Sequence, residues 1–232
     1  MAWFKNICLS FLKILLAVAL TPLACGLSVA LYKSVSTYFD VYSLMPFIFG
    51  FFSYLLIYAV FQQPIRTYVF THELVHVIWV FLFGGKVKGF KLHKNGGSVK
   101  VTKSNFVIEL APYFFPLYCV LVIFLYLFLD IFFEMKPYWK LMSFLVGFMW
   151  AFHFTITLYV LTKEQTDFQG PGVVLSLVIV YISNVAILSL MLCFLSKSTS
   201  FEIFFRDSIN YSVKSYSQFI NACSQLFERT NL

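Results

Sequence analysis

The chain has 232 residues, of which 60% are hydrophobic and only 12% charged, with a mean hydropathy of +0.84 and a net charge of +7. So few charges cannot cover a water-facing surface, which excludes a soluble enzyme, a disordered chain and a coiled coil and leaves a polytopic membrane protein. The basic balance reads as cytoplasmic loops and anionic lipid headgroups rather than a nucleic-acid partner, and five scattered cysteines without C-x-x-C argue against a disulfide framework or a thiolate metal site.

A bilayer core about 30 Å thick needs roughly 20 apolar residues per helix. The chain offers six such stretches, at about 7–32, 42–62, 66–84, 105–130, 139–162 and 172–195. The expected fold is therefore an all-α membrane protein of about six spans. One membrane domain covers residues 1–198 and a tail covers 199–232. In the first stretch, Lys5 and Lys13 precede an apolar run ending in Pro22-Leu23-Ala24-Cys25. That resembles a secretory signal, but Pro22 replaces the aliphatic residue of a lipoprotein site, which favours an uncleaved helix.

Residues 84–104 alternate apolar and polar side chains on each side of Asn95-Gly96, the pattern of a β-hairpin, and carry six Lys and no acid. The positive-inside rule puts this hairpin in the cytoplasm. Pro112 and Pro116 are expected to kink the fourth helix. Glu109 lies near that helix's start, as a partner to a ligating His or as an interfacial acid. Asn184 in the sixth helix is expected to make an interhelical hydrogen bond. After residue 199, Phe201, Ile203, Phe204, Ile209, Phe219 and Phe227 alternate with polar residues, which predicts an amphipathic interfacial helix.

The third stretch contains His72-Glu73-Leu74-Val75-His76. Spacing i, i+4 puts both imidazoles on one helix face, one turn apart, where two neutral ring nitrogens can hold one zinc ion. Glu73 projects beside them. It can take a proton from a water that the metal makes acidic and pass it to a leaving amine. Ionisable side chains are costly inside a bilayer, and a metal site explains why three of them stand together. A third protein ligand is needed. Asp167, in Thr166-Asp167-Phe168-Gln169-Gly170-Pro171-Gly172, ranks first. His153 ranks second, as a ligand or as a donor to the oxyanion of a tetrahedral intermediate. His93, in the hairpin, reads as a solvated side chain.

A membrane-embedded H-E-x-x-H followed by Gly84-Gly85 and a β-hairpin resembles the site-2 protease family of intramembrane zinc metalloproteases. The stretch from Asn95-Gly96-Gly97-Ser98-Val99 to Leu110-Ala111-Pro112-Tyr113 resembles small bacterial members. The resemblance covers about residues 66–180. It implies His72, His76 and a distant Asp as ligands of one zinc per chain, Glu73 as the activator of water, and a bacterial inner membrane. It also implies a hairpin that pairs with an unwound substrate segment. The family's Asp commonly stands in Leu-Asp-Gly, whereas Asp167 has Thr166 and Phe168 as neighbours.

The sequence thus predicts a multi-pass zinc metalloendopeptidase, its active site toward the cytoplasm. It would cut a transmembrane or membrane-adjacent substrate. Two other readings use the same residues. One is a catalytically silent scaffold of the same fold that binds partners. The other is a transporter passing metal along His72, His76 and Asp167.

Overall fold

A computed structural model describes residues 2–61, 65–93, 96–162, 166–168, 170–196 and 201–230. Eight α-helices and one hairpin follow in the order α1 (Ala2–Lys33), α2 (Val41–Val60), α3 (Ile65–Leu82), β1 (Val87–His93), β2 (Gly96–Val101), α4 (Phe106–Phe114), α5 (Leu117–Asp130), α6 (Trp139–Leu161), α7 (Val173–Leu195) and α8 (Phe201–Thr230). Among the described residues, four spans are long and apolar enough to cross a membrane: Ile7–Thr37, Val41–Val60, Lys136–Leu161 and Val173–Leu195. The bent pair α4–α5 makes a fifth if it counts as one crossing. Among the described residues, α3 is not one of these, in contrast to the six expected spans. It is 18 residues long and carries Arg66, His72, Glu73 and His76. Large apolar side chains such as Phe49, Phe52 and Leu56 on α2 and Phe124 and Leu125 on α5 are exposed, a surface suited to lipid rather than water.

The chain divides into two compact units, Met1–Asp40 with Pro171–Leu232, and Val41–Gly170. In the first, α8 runs antiparallel along α1. Lys33 lies 3.6 Å from Asp207, Gly26 sits against Ser212, and Tyr216 donates to the Ala19 carbonyl at 2.9 Å. Ala30, Cys193 and Phe204 form one of its buried clusters, with Tyr211 packed against them. The tail forms the amphipathic helix expected of it, and its first half lies against α1, where Phe204, Asp207, Ser208 and Ser212 recur on one helical face and are buried. Asn184 donates to the Val180 carbonyl of its own helix at 2.8 Å. Residues 197–200, where the tail begins, lie outside the described residues.

The second unit is built on α2 and α6. A Cβ added at Gly50 would fall on the Phe144 carbonyl, and one at Gly147 on the Phe47 carbonyl. The two backbones therefore touch, as small residues allow between membrane helices. Tyr54, farther along α2, meets Phe148 and Phe152, with ring centroids 5.1 and 5.8 Å away. The pairing advances in step on both helices, so α2 and α6 run parallel. α5 returns antiparallel to α6: Cys119 Sγ reaches the Val146 carbonyl at 3.6 Å, and the Tyr126 ring meets Trp139 at 5.7 Å. Between α4 and α5 the axis turns by 74° at Phe115 and Pro116, the kink expected from the two prolines.

α3 ends in a Schellman motif. Gly84 adopts φ +68° and donates to the Phe81 carbonyl, while Gly85 donates to Val80, at 2.9 and 2.8 Å. This stop launches the hairpin. Its register pairs His93 with Gly96, Leu92 with Gly97 and Phe90 with Val99, with an irregularity between Val87 and Gly89. The turn expected at Asn95-Gly96 falls partly on residues 94 and 95, which lie outside the described residues; Gly96 itself opens β2 and pairs with His93.

Candidate metal centre

On α3, Val69, Glu73, His76 and Val80 recur at i, i+4, i+7 and i+11, the face a helix buries, and Val69, Glu73 and Val80 are indeed buried. His72 stands one turn before His76, and their Nε2 atoms are 3.2 Å apart. Asp167 comes from a 3-10 turn, Thr166–Phe168. Its Oδ2 lies 3.3 Å from His72 Nε2 and 3.7 Å from His76 Nε2. Among the described residues these three form a group able to hold a metal ion. Of the two expected third ligands, the structure brings Asp167 to the histidines.

Two further contacts aim the imidazoles. His76 Nδ1 donates to the Ile108 carbonyl of α4 at 2.9 Å, which leaves Nε2 with its lone pair toward Asp167. His72 Nδ1 lies 2.8 Å from the Tyr68 hydroxyl, one turn earlier on α3. The donor set fits a tetrahedral ion. Bonds of about 2.0–2.1 Å at tetrahedral angles require ligand atoms about 3.3–3.4 Å apart, and the three edges are 3.2, 3.3 and 3.7 Å. Two imidazole nitrogens and a carboxylate oxygen this close together need a proton or a metal cation between them. Burial pushes the Asp167 carboxyl up. Hydrogen bonds with His72 and His76 and the charges of the two rings outweigh this and hold it well below the usual carboxylate range.

The three candidate ligands and Glu73 line one cleft of about 840 Å³, together with Gly97, Ser98 and Val99 of β2 and Glu109 and Ile108 of α4. Glu73 is only 7% exposed. Gly97 lies directly on it: a Cβ at 97 would stand 2.5 Å from Glu73 Cγ and 2.7 Å from Oε1. Only a glycine lets the strand come this near. Glu109, in the first turn of α4, accepts from Ser104 Oγ at 2.9 Å. The ring nitrogen of His76 bonds instead to the backbone of Ile108, so of the two places open to Glu109 its bond to Ser104 is not the one to a ligating His. His153 instead lines a separate small cavity of about 20 Å³, with His72, Thr71 and Tyr118, and its ring lies 5.6 Å from Trp150. His93 is exposed at the end of β1.

Two residues near the ligands escaped the sequence reading, Tyr68 and Tyr113. The Tyr113 hydroxyl donates to Asp167 Oδ2 at 2.8 Å. Tyr68 was within reach of pattern reasoning, since it precedes His72 by four positions on the same helix face. Tyr113 carried no such signal in a chain with 14 tyrosines. No family model, no curated protein and no solved structure matches the chain, so the geometry of these residues carries the functional argument alone.

Proposed function

We propose that the chain is an intramembrane zinc endopeptidase of the site-2 protease type. The observation that carries this reading is the convergence of His72, His76 and Asp167 on one point beside the buried Glu73, at the wall of an open cleft. Zinc bound there supplies a Lewis acid that polarises a carbonyl and acidifies water. The chain's own residues do the rest. Glu73 takes a proton from the attacking water and delivers it to the amine nitrogen as the C–N bond breaks. The water oxygen stays on the carbonyl carbon. β2 borders the cleft and has one unpaired edge, which can take up a substrate segment as an added strand. A substrate helix must unwind to pair in this way, and unwinding also bares the scissile carbonyl.

The parallel run of α2 and α6 bears on topology. Two parallel spans must be separated by an odd number of crossings. With α3 as one crossing, the α4–α5 pair then enters and leaves on the same side. The six Lys of the hairpin region favour the cytoplasm for that side. Such a broken pair is tolerated in a membrane where it lines a polar cavity.

Metal analysis of the detergent-purified chain tests the reading. One zinc per chain is expected in wild type and in Glu73→Gln, and none in His76→Ala. Co-expression with a host membrane proteome, followed by mass spectrometry of new N-termini, should show cleavage products with wild type and none with Glu73→Gln. Iron in place of zinc, which the same donor set accepts, would overturn the reading. So would a cellular phenotype that survives Glu73→Gln, and that result would favour the silent scaffold. Metal flux in liposomes would instead favour the transporter.

A further inference from the structure

Asp167 reaches the two histidines from a single 3-10 turn rather than from a regular element. Something must fix that turn, because a carboxylate free to rotate loses the geometry that a metal requires. The contacts come from one face of α4. Tyr113 is 1% exposed, and its hydroxyl donates to Oδ2, the same oxygen that faces both imidazoles. Its ring packs on Phe168, with centroids 4.8 Å apart, and meets His72 edge-on at 5.3 Å. One turn earlier, Glu109 Oε2 would lie 2.5 Å from a Cβ at Gly170, so the backbone at Gly170, two positions past that turn, rests against it. The carbonyl of Ile108, beside Glu109, holds His76. α4 therefore grips ligands from both ends of the site, although it supplies none itself.

We infer that Tyr113 is a positioning residue for the metal centre: its hydroxyl orients the Asp167 carboxylate, and its ring clamps the turn that carries it. This rests on the metal reading above and adds a residue to it. Tyr113→Phe separates the two parts, since it keeps the ring against Phe168 and removes only the hydrogen bond. Zinc affinity of the full-length protein in detergent is measured by chelator competition, and the visible spectrum of the cobalt(II) form is recorded beside it. Tyr113→Phe should weaken zinc binding about 10–100-fold and shift the cobalt bands, with helicity unchanged. Tyr118→Phe, which removes a hydroxyl bonded to Thr71, should leave both readouts as in wild type. In an Asp167→Ala background, Tyr113→Phe should have no further effect on the residual affinity, because Tyr113 acts through that carboxylate.

Zinc affinity within twofold of wild type in Tyr113→Phe would overturn the inference and leave the metal reading standing. Weaker binding with an unchanged cobalt spectrum would also overturn it, by showing a loosened fold rather than a reoriented ligand. A wild-type chain that binds neither metal would overturn both.

Discussion

Substituting Gly97→Ala tests how the hairpin and Glu73 share space. A methyl at 97 would stand 2.5 Å from Glu73 Cγ, 2.7 Å from Oε1 and 2.9 Å from Cδ. Non-bonded carbons rest at about 3.5–4.0 Å, so the overlap is about 1 Å. Either the strand lifts or the carboxylate swings away. The strand is pinned through its pairing with β1 and its contacts with α3, whereas Glu73 is a flexible chain beside a cleft. The side chain therefore yields, at a cost to stability of about 1 kcal/mol, the low end for overpacking. A general base displaced by about 1 Å loses about 100-fold in rate. The three atoms nearest position 97 all belong to Glu73 rather than to a ligand, so zinc content should stay at one per chain. The assay pairs metal analysis with cleavage of a substrate identified from the Glu73→Gln comparison. Cleavage within threefold of wild type would refute the reasoning, as would loss of zinc.

Three further outcomes follow from the geometry. The Asp167 carboxyl is held below its usual range, so the stabilisation it supplies is present above about pH 4 and fades as the pH falls through the folded value. In melts of the metal-free protein, wild type should exceed Asp167→Asn in stability at pH 7, and the gap should close on acidification; an unchanged gap down to pH 3 would contradict this. With the native cysteines replaced, Ser104→Cys and Glu134→Cys should react with an impermeant maleimide from the same side of sealed vesicles, and labelling from opposite sides would make α4–α5 a full crossing. Gly147→Val would drive a branched side chain into the Phe47 carbonyl, and should destabilise the unit by about 1–3 kcal/mol in denaturation followed by tryptophan fluorescence; no change would mean that the α2–α6 contact is looser than described.

Much of the site was legible because the cost of burying charge is high. In so apolar a chain, His72, Glu73 and His76 within five positions needed a shared reason, and helix periodicity supplied their common face. Asp167 could be ranked but not fixed, because its 91-residue separation from His76 (167 minus 76) is a matter of tertiary packing. The expected Asn95-Gly96 turn missed that Gly96 belongs to β2, and alternation carries no signal for the irregularity between Val87 and Gly89. The helix boundaries followed hydrophobicity closely, whereas the crossing status of α3 and α4–α5 did not, since ionisable residues and a backbone break decide it. The packing of α8 on α1 was hidden because its polar residues, Asp207, Ser208 and Ser212, are the buried ones.

The separation of Asp167 from the histidines has a consequence for how the protein is made. At about 5–20 residues per second, the ribosome delivers His72 and His76 several seconds before the third ligand. During that interval α3 holds an incomplete chelate with two nitrogen donors, weak in metal affinity. The turn that completes it cannot seat until α4 has folded against α3 and α6 has been inserted. On the function proposed above, a centre assembled in this order stays inert during its own biosynthesis, while nascent membrane segments crowd the insertion machinery, and it becomes competent only as a finished fold.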